Sequence, residues 1–299
     1  MPYEILASAV DATAYTAFPD LGLRPVIHDF GFFQLRWYSL AYLAGIILGW
    51  WLLTRMVAAP GSPMARRHAD DLIFWVTIGI IAGGRLGYVV FYAPELFAQP
   101  WRILTDINKG GMSFHGGLIG VTLAMLWVAR SNRLSFFRMC DYVACVVPIG
   151  LFLGRMANFV NGELWGRTTD VPWAIRFVET GPFGGTLLGP PRHPSQLYEA
   201  ALEGLLLLAV LALLFWRSDA RYKPGFLAGV FLFGYGLSRF AVEFFREPDA
   251  QLLWLAERTG FSMGQWLTVP MLLLGLWLML TARARRQRVE PVAGSASVA

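Results

Sequence analysis

The chain has 299 residues, of which 56% are hydrophobic and only 15% charged, and its formal net charge is +5. With a mean hydropathy of +0.49 it is too apolar for a soluble domain of this length, so composition indicates a membrane protein. The positive balance needs no nucleic-acid partner, because it collects in connections between apolar windows. Seven windows of roughly 20 residues, enough to cross a bilayer core as helices, follow in chain order: 35–56, 72–92, 112–130, 139–159, 197–216, 226–244 and 264–282. Residues 1–34 lack a basic start, an apolar stretch and a small-residue cleavage site, so no cleaved signal peptide is expected and the first span inserts the protein. Cys140 and Cys145 lie in the fourth window, five residues apart on a helix; they face different directions and no disulfide is expected. Residues 160–196 are rich in Gly and Pro and read as a small extramembrane cap, with one or two short strands in 171–178. The fifth window is the weakest, because Glu199 and Glu203 lie in its first turns. The whole of 1–282 reads as a single membrane domain. The tail 283–299 is basic, then rich in Ala, Ser and Val, and reads as disordered.

Lys and Arg orient the spans. Arg55, Arg66 and Arg67, then Arg130, Arg133 and Arg138, then Arg217, Arg221 and Lys223, then Arg283, Arg285, Arg286 and Arg288 fall on one side, mostly in short connections. The other side carries fewer, spread over longer loops. This bias places the N-terminus outside, the C-terminus in the cytoplasm and the cap on the outer side.

Three arginines sit inside apolar windows: Arg85, Arg155 and Arg239. A charge at the centre of a span costs at least about 2.5 kcal/mol, so three cations point to a site that holds an anion at membrane depth. Threading the topology brings polar residues of six spans to the outer layer. They are Tyr38; Arg85 and Tyr88; His115; Arg155, Asn158, Asn161 and Glu163; His193, Gln196 and Glu199; and Tyr235, Arg239, Glu243 and Arg246. Arg155, Asn158 and Asn161 are spaced i, i+3, and Arg239, Glu243 and Arg246 i, i+4, i+7, so each set lines one helix face. Plainer readings stand beside these. Arg239–Glu243 fits an intrahelical ion pair, and the glycines around Arg85 fit close helix packing. His193-Pro194-Ser195-Gln196 fits a helix entry with Ser195 as N-cap. His115, at a helix start, suits a neutral imidazole able to take a proton.

The segment Gly154-Arg155-Met156-Ala157-Asn158-Phe159-Val160-Asn161-Gly162-Glu163-Leu164-Trp165-Gly166 resembles the signature of the prolipoprotein diacylglyceryl transferase family. Arg36-Trp37-Tyr38, Gly111-Met112-Ser113-Phe114-His115-Gly116-Gly117 and His193-Pro194-Ser195-Gln196-Leu197-Tyr198-Glu199 match further family motifs. So does Tyr235-Gly236-Leu237-Ser238-Arg239-Phe240, with Glu243 and Arg246-Glu247-Pro248-Asp249. The motifs occur in family order from residue 36 to 249. One departure is Met156-Ala157, where the family more often has Gly before the Asn; it leaves Arg155 and Asn158 in place.

The resemblance implies an all-α polytopic enzyme of the bacterial inner membrane, with seven transmembrane helices, a periplasmic N-terminus and cap, and a cytoplasmic C-terminus. It implies transfer of the diacylglyceryl group of phosphatidylglycerol to the lipobox cysteine of a preprolipoprotein signal peptide. A thioether forms, glycerol-1-phosphate leaves, and the site faces the outer leaflet. Arg155 and Arg239 are the expected phosphate clamp, and His115 is the expected general base. Tyr38, Arg85, Asn158, Glu163, Gly166, Tyr235, Glu243 and Arg246 complete the phosphatidylglycerol site. The sequence carries no metal-ligand cluster or nucleotide loop, so no metal or cofactor is expected. A transporter would place polar groups at both depths, with repeat symmetry. A membrane protease would need a nucleophile set that Ser39 and Ser238 do not supply.

Overall fold

The computed structural model describes residues 15–31, 34–107, 110–180, 185–247 and 258–285. The start of the chain, Pro248 and Asp249 of the last motif, and the tail beyond Arg285 lie outside the described residues. In chain order the elements are β1 (Thr16–Ala17), β2 (Val26–Asp29), β3 (Gln34–Arg36), α1 (Trp37–Val57), α2 (Arg66–Tyr92), α3 (Trp101–Thr105), α4 (Phe114–Ser131) and α5 (Phe136–Asn161). There follow β4 (Ile175–Thr180), β5 (Thr186–Arg192), α6 (Ser195–Arg217), α7 (Phe226–Val242) and α8 (Met263–Thr281).

Helices α1, α2, α5, α6 and α8 are long and apolar enough to cross a membrane, and α7 is apolar with 17 residues. The chain is therefore a mostly helical, polytopic membrane protein. Helices suit that solvent because they satisfy every backbone N–H and C=O internally. The helix ends differ from the apolar windows where polar residues extend a helix. At α2 the run Arg66-Arg67-His68-Ala69-Asp70-Asp71 adds turns ahead of the window, and His68 Nδ1 accepts the Ala65 N–H at 3.1 Å to begin the helix. The contacts group the chain into two compact units. The first is Met1–Gly45, Val147–Val210 and Val230–Trp277; the second is Ile46–Val146, Leu211–Gly229 and Leu278–Ala299.

In the first unit β1 pairs in parallel with β4, and β4 pairs antiparallel with β5. The strands in this cap begin at Ile175 rather than at 171, and the second lies beyond the expected stretch. Alternation along β4 turns Ile175 and Phe177 inward. There they meet Phe18, Phe159 from the last turn of α5, Trp165, and Leu197 from the first turn of α6. The cap thus has a core of its own that fixes the loop after α5 and the entry to α6.

In the second unit α2 and α4 approach to backbone contact. A Cβ on Gly79 would lie 2.5 Å from the Gly120 carbonyl oxygen, and one on Gly83 2.4 Å from that of Gly116. Small residues at four-residue spacing permit this approach in membranes, as the plainer reading of these glycines has it. Asp141 of α5 is fully buried, and its carboxylate accepts the N–H groups of Gly225 (2.7 Å) and Ala228 (2.9 Å) at the start of α7. A carboxylate on the free donors of a helix N-terminus satisfies both groups and the dipole. Asp141→Ala is expected to destabilise the protein by about 3 kcal/mol, since it strands one buried and one partly buried donor. The check is the thermal unfolding midpoint in detergent, which should fall by several degrees, whereas Asp70→Ala, with a single exposed bond to Trp50, should shift it little. Cys140 and Cys145 are free thiols.

Candidate active site

Helix α5 ends on Gly162, whose φ of +65° would strain any L side chain. Its N–H bonds the Phe159 carbonyl at 2.9 Å and the Glu163 N–H bonds that of Asn158 at 3.1 Å, the paired closure that ends helices on a left-handed glycine. The reversal folds Glu163 back over the last turn. Its Oε1 accepts Asn158 Nδ2 at 2.9 Å and Asn161 Nδ2 at 3.1 Å. Gln196 Nε2 donates to the Glu163 carbonyl at 2.6 Å. Ser195 is the first residue of α6 rather than its N-cap, and its hydroxyl donates to the Leu164 carbonyl at 3.2 Å. The α5 end and the α6 entry are thereby stitched together.

Gly166 lies at a crossing of three backbone segments. Its N–H donates to the His193 carbonyl at 2.9 Å, and the next N–H, of Arg167, donates to that of Phe245 at 2.9 Å. A Cβ at Gly166 would come 2.3 Å from the Phe245 oxygen, so this position has no room for a side chain. Beside it, Arg192 ties Glu179 and Glu247, both at 2.9 Å. His193 Nδ1 is 3.1 Å from the Tyr198 hydroxyl, which accepts Trp173 Nε1–H at 2.7 Å. Partial burial holds the His193 imidazole below its usual pKa, which favours the neutral ring that accepts the Tyr198 proton.

Three arginines and three glutamates form the centre of this unit. Glu199 Oε1 accepts Arg239 Nη1 at 2.7 Å and Arg246 Nη1 at 2.8 Å, and its Oε2 lies 3.0 Å from Arg155 Nε. Arg239 Nη2 reaches Glu243 Oε2 at 2.9 Å, the intrahelical pair legible in their spacing. Arg155 Nη2 is 3.7 Å from Glu203, and Arg246 Nε is 3.7 Å from Glu243. Glu199 and Glu203 come from the first turns of α6, where residues Ala200–Leu206 adopt a wider π-helical turn, a distortion frequent at functional sites. Gly204 in that turn lets α6 meet α5: a Cβ there would sit 2.6 Å from that of Phe152. The two sets of charges are not equally placed. The arginine side chains keep 15–20% of their surface exposed, whereas Glu199 and Glu203 keep none. The cations form the accessible face and the carboxylates back it. Fork-shaped guanidinium groups held this way suit a phosphate, which they can bind by two parallel bonds.

The model of the prolipoprotein diacylglyceryl transferase family matches residues 25–281, from β2 to the end of α8. The chain belongs to the prolipoprotein diacylglyceryl transferase family. It is 54% identical over 272 residues to a phosphatidylglycerol–prolipoprotein diacylglyceryl transferase of Erythrobacter litoralis, covering 91% of this chain and 94% of that one. Proteins of the same name from Zymomonas mobilis and Rhodospirillum rubrum are each 52% identical, over 90% and 93% of this chain and 94% and 97% of theirs.

Within this transferase-family chain the first unit brings together Tyr38, Arg155, Asn158, Glu163, Gly166, Tyr235, Arg239, Glu243 and Arg246. Arg85, Tyr88 and His115 belong to the second unit. There Arg85 is buried, and its guanidinium donates to the carbonyls of Ile103 and Gly110 at 2.8 Å and of Arg102 and Gly111 at 3.2 Å. It binds together the segment between α2 and α4. His115 is the second residue of α4 and is exposed; Ser113 caps that helix by accepting the Gly116 N–H at 3.2 Å. Glu199, expected in the outer polar layer but given no role, and Glu203, not expected there, are the centre of the charge cluster. Their four-residue spacing, and their number against the arginines, was the available signal. Among the described residues no group of three or more His, Cys, Asp or Glu side chains is placed to hold a metal ion.

Proposed function

We propose that this chain transfers the diacylglyceryl group of phosphatidylglycerol to the lipobox cysteine of a preprolipoprotein. The cysteine sulfur displaces the glycerol phosphate from the lipid glycerol carbon. A C–S bond forms, a C–O bond breaks, and glycerol-1-phosphate leaves. The observation that carries this reading is the partly exposed arginine face of Arg155, Arg239 and Arg246, fixed from behind by buried carboxylates. Donors fixed in advance act most strongly where charge grows in the transition state, and here it grows on the departing phosphate. Arg155 and Arg239 are the clamp. Asn158, Glu163, Tyr38, Tyr235 and Gly166 shape the headgroup site, and Glu243 orients Arg239. Arg85 holds together the loop before α4. His115 is the base that the family resemblance assigns to the thiol proton, and cations at a site lower a thiol pKa.

The test is to incubate purified protein with phosphatidylglycerol and a lipobox peptide and to weigh the peptide. The expected result is a gain of one diacylglyceryl group, and none on a Cys→Ser peptide, because an alcohol is a far poorer nucleophile at neutral pH. An unmodified cysteine peptide would refute the reading.

We further propose that the protein crosses the bacterial inner membrane seven times, α4 and α7 included, with the N-terminus and cap periplasmic and the C-terminus cytoplasmic. The Lys and Arg bias supports this. In a chain with Cys140 and Cys145 replaced, a single cysteine at Ile5 should react with an impermeant thiol reagent in cells with a permeable outer membrane. One at Ser295 should not. The reverse labelling would overturn the orientation.

A further inference from the structure

The charge cluster is formally neutral before any ligand arrives, with Arg155, Arg239 and Arg246 against Glu199, Glu203 and Glu243. A phosphodiester headgroup adds a negative charge to it. Among fully buried carboxylates such as Glu199 and Glu203 an uncompensated charge is costly, and such groups respond by changing protonation. The three carboxylates differ in how firmly they are held as anions. Glu199 has three guanidinium partners. Glu243 has Arg239 at 2.9 Å and also accepts the Ser262 hydroxyl at 2.9 Å. Glu203 is fully buried; among the described residues its nearest cation is Arg155 at 3.7 Å, and neither of its oxygens has a hydrogen-bond partner. The groups facing it are Arg155 from α5, Tyr235 and Arg239 from α7, Arg246 beyond the end of α7, and Glu199 on its own helix. A phosphate that recruits the Arg155 donors takes from Glu203 its close cation among the described residues.

We propose that Glu203 is the charge-compensating group of this site: its carboxylate takes up a proton from water as a phosphodiester anion engages the arginines, and releases it when the anion leaves. This rests on the phosphatidylglycerol reading above. The step makes one O–H bond on Glu203 and changes no other. It keeps the cluster neutral while the lipid is held, so that the arginines can turn toward phosphate without leaving a bare carboxylate in the protein interior. Glu203 is a positioning residue here, acting on the lipid through Arg155.

The experiment is calorimetric titration of the purified full-length protein with short-chain phosphatidylglycerol, without peptide so that no turnover occurs. It is run in buffers of different ionisation enthalpy at one pH and then across pH. The expected result is an uptake of close to one proton per lipid bound, with a Kd that weakens by up to about tenfold per pH unit as pH rises. Diacylglycerol, which lacks the phosphate, should bind without proton uptake. Glu203→Gln should bind phosphatidylglycerol with no uptake and a flat Kd across pH. Glu203→Asp should retain uptake with a displaced pH midpoint. Lipid binding by the native protein without proton uptake would overturn the proposal, as would full uptake by Glu203→Gln. Should Glu203→Gln not fold, an undisplaced midpoint in Glu203→Asp overturns it instead. If the native protein fails to bind phosphatidylglycerol at all, the functional reading fails.

Discussion

Glu199→Ala is expected to accumulate poorly and to unfold at a much lower temperature than the native protein. Glu199 is fully buried and is the shared partner of Arg155, Arg239 and Arg246. Removing it leaves three guanidinium groups to Glu203 and Glu243, with Arg155 left a partner at only 3.7 Å. Breaking a buried ion pair by deleting one member costs about 3–5 kcal/mol, a large share of the roughly 5–15 kcal/mol that holds a typical domain folded. Glu247 gives the contrast. It pairs with Arg192 at 2.9 Å but is half exposed, so Glu247→Ala should change stability by less than about 1 kcal/mol. The check is the yield of monodisperse protein in detergent and its melting temperature. Equal stability of Glu199→Ala and Glu247→Ala would show that the cluster does not hold the helices together. Glu199→Gln keeps the shape and an acceptor oxygen. It should accumulate better than Glu199→Ala yet lose activity, because the arginines lose the charge that aims them.

Arg155→Lys and Arg239→Lys should each insert and accumulate, yet lose roughly 10²-fold or more in turnover. In the structure Arg239 spreads its two terminal nitrogens over Glu199 and Glu243, and Arg155 directs Nε at Glu199 and Nη2 toward Glu203. A lysine keeps the charge but presents a single point in place of a fork. It therefore serves one carboxylate or the phosphate, and holds neither in the orientation the fork imposes. The loss should fall more on kcat than on lipid affinity, since the clamp grips hardest when charge builds on the leaving phosphate. Initial rates per folded protein, across lipid concentration, test this. Near-native kcat in either variant would remove that arginine from the clamp. Failure of Arg239→Lys alone to accumulate would instead assign its pair with Glu243 to folding.

The five helices long and apolar enough to cross a membrane were legible because each is built on an apolar window of membrane length. Their polar extensions were not, since 66–71 reads as a loop until α2 is seen to run through it. The shared face of Asn158 and Asn161 could be read from i, i+3 spacing, though not the turn at Gly162 that returns Glu163 to them. The Arg239–Glu243 pair could likewise be read from four-residue spacing. The roles of Glu199 and Glu203 were hidden for a physical reason. A sequence shows that charges interrupt an apolar window, but not which charges of other helices face them, so they counted against the fifth span although they pair there with Arg155, Arg239 and Arg246. Arg85 shows the converse. Its charge inside a span pointed to a ligand, yet its guanidinium is occupied by carbonyls of 102, 103, 110 and 111, a loop closure that no local pattern discloses. Asp141 likewise meets the start of α7 from far away in sequence.

The fate of the phosphate tests most directly whether the arginine face acts on a departing glycerol phosphate. Phosphorus NMR of a reaction containing protein, phosphatidylglycerol and a lipobox peptide, with the peptide product counted in parallel, measures it. One glycerol-1-phosphate should appear for each thioether peptide formed, at a rate that Arg155→Lys and Arg239→Lys both reduce. Lysophosphatidylglycerol in its place, marking an acyl rather than a diacylglyceryl transfer, or glycerol-1-phosphate released without peptide modification, would contradict it.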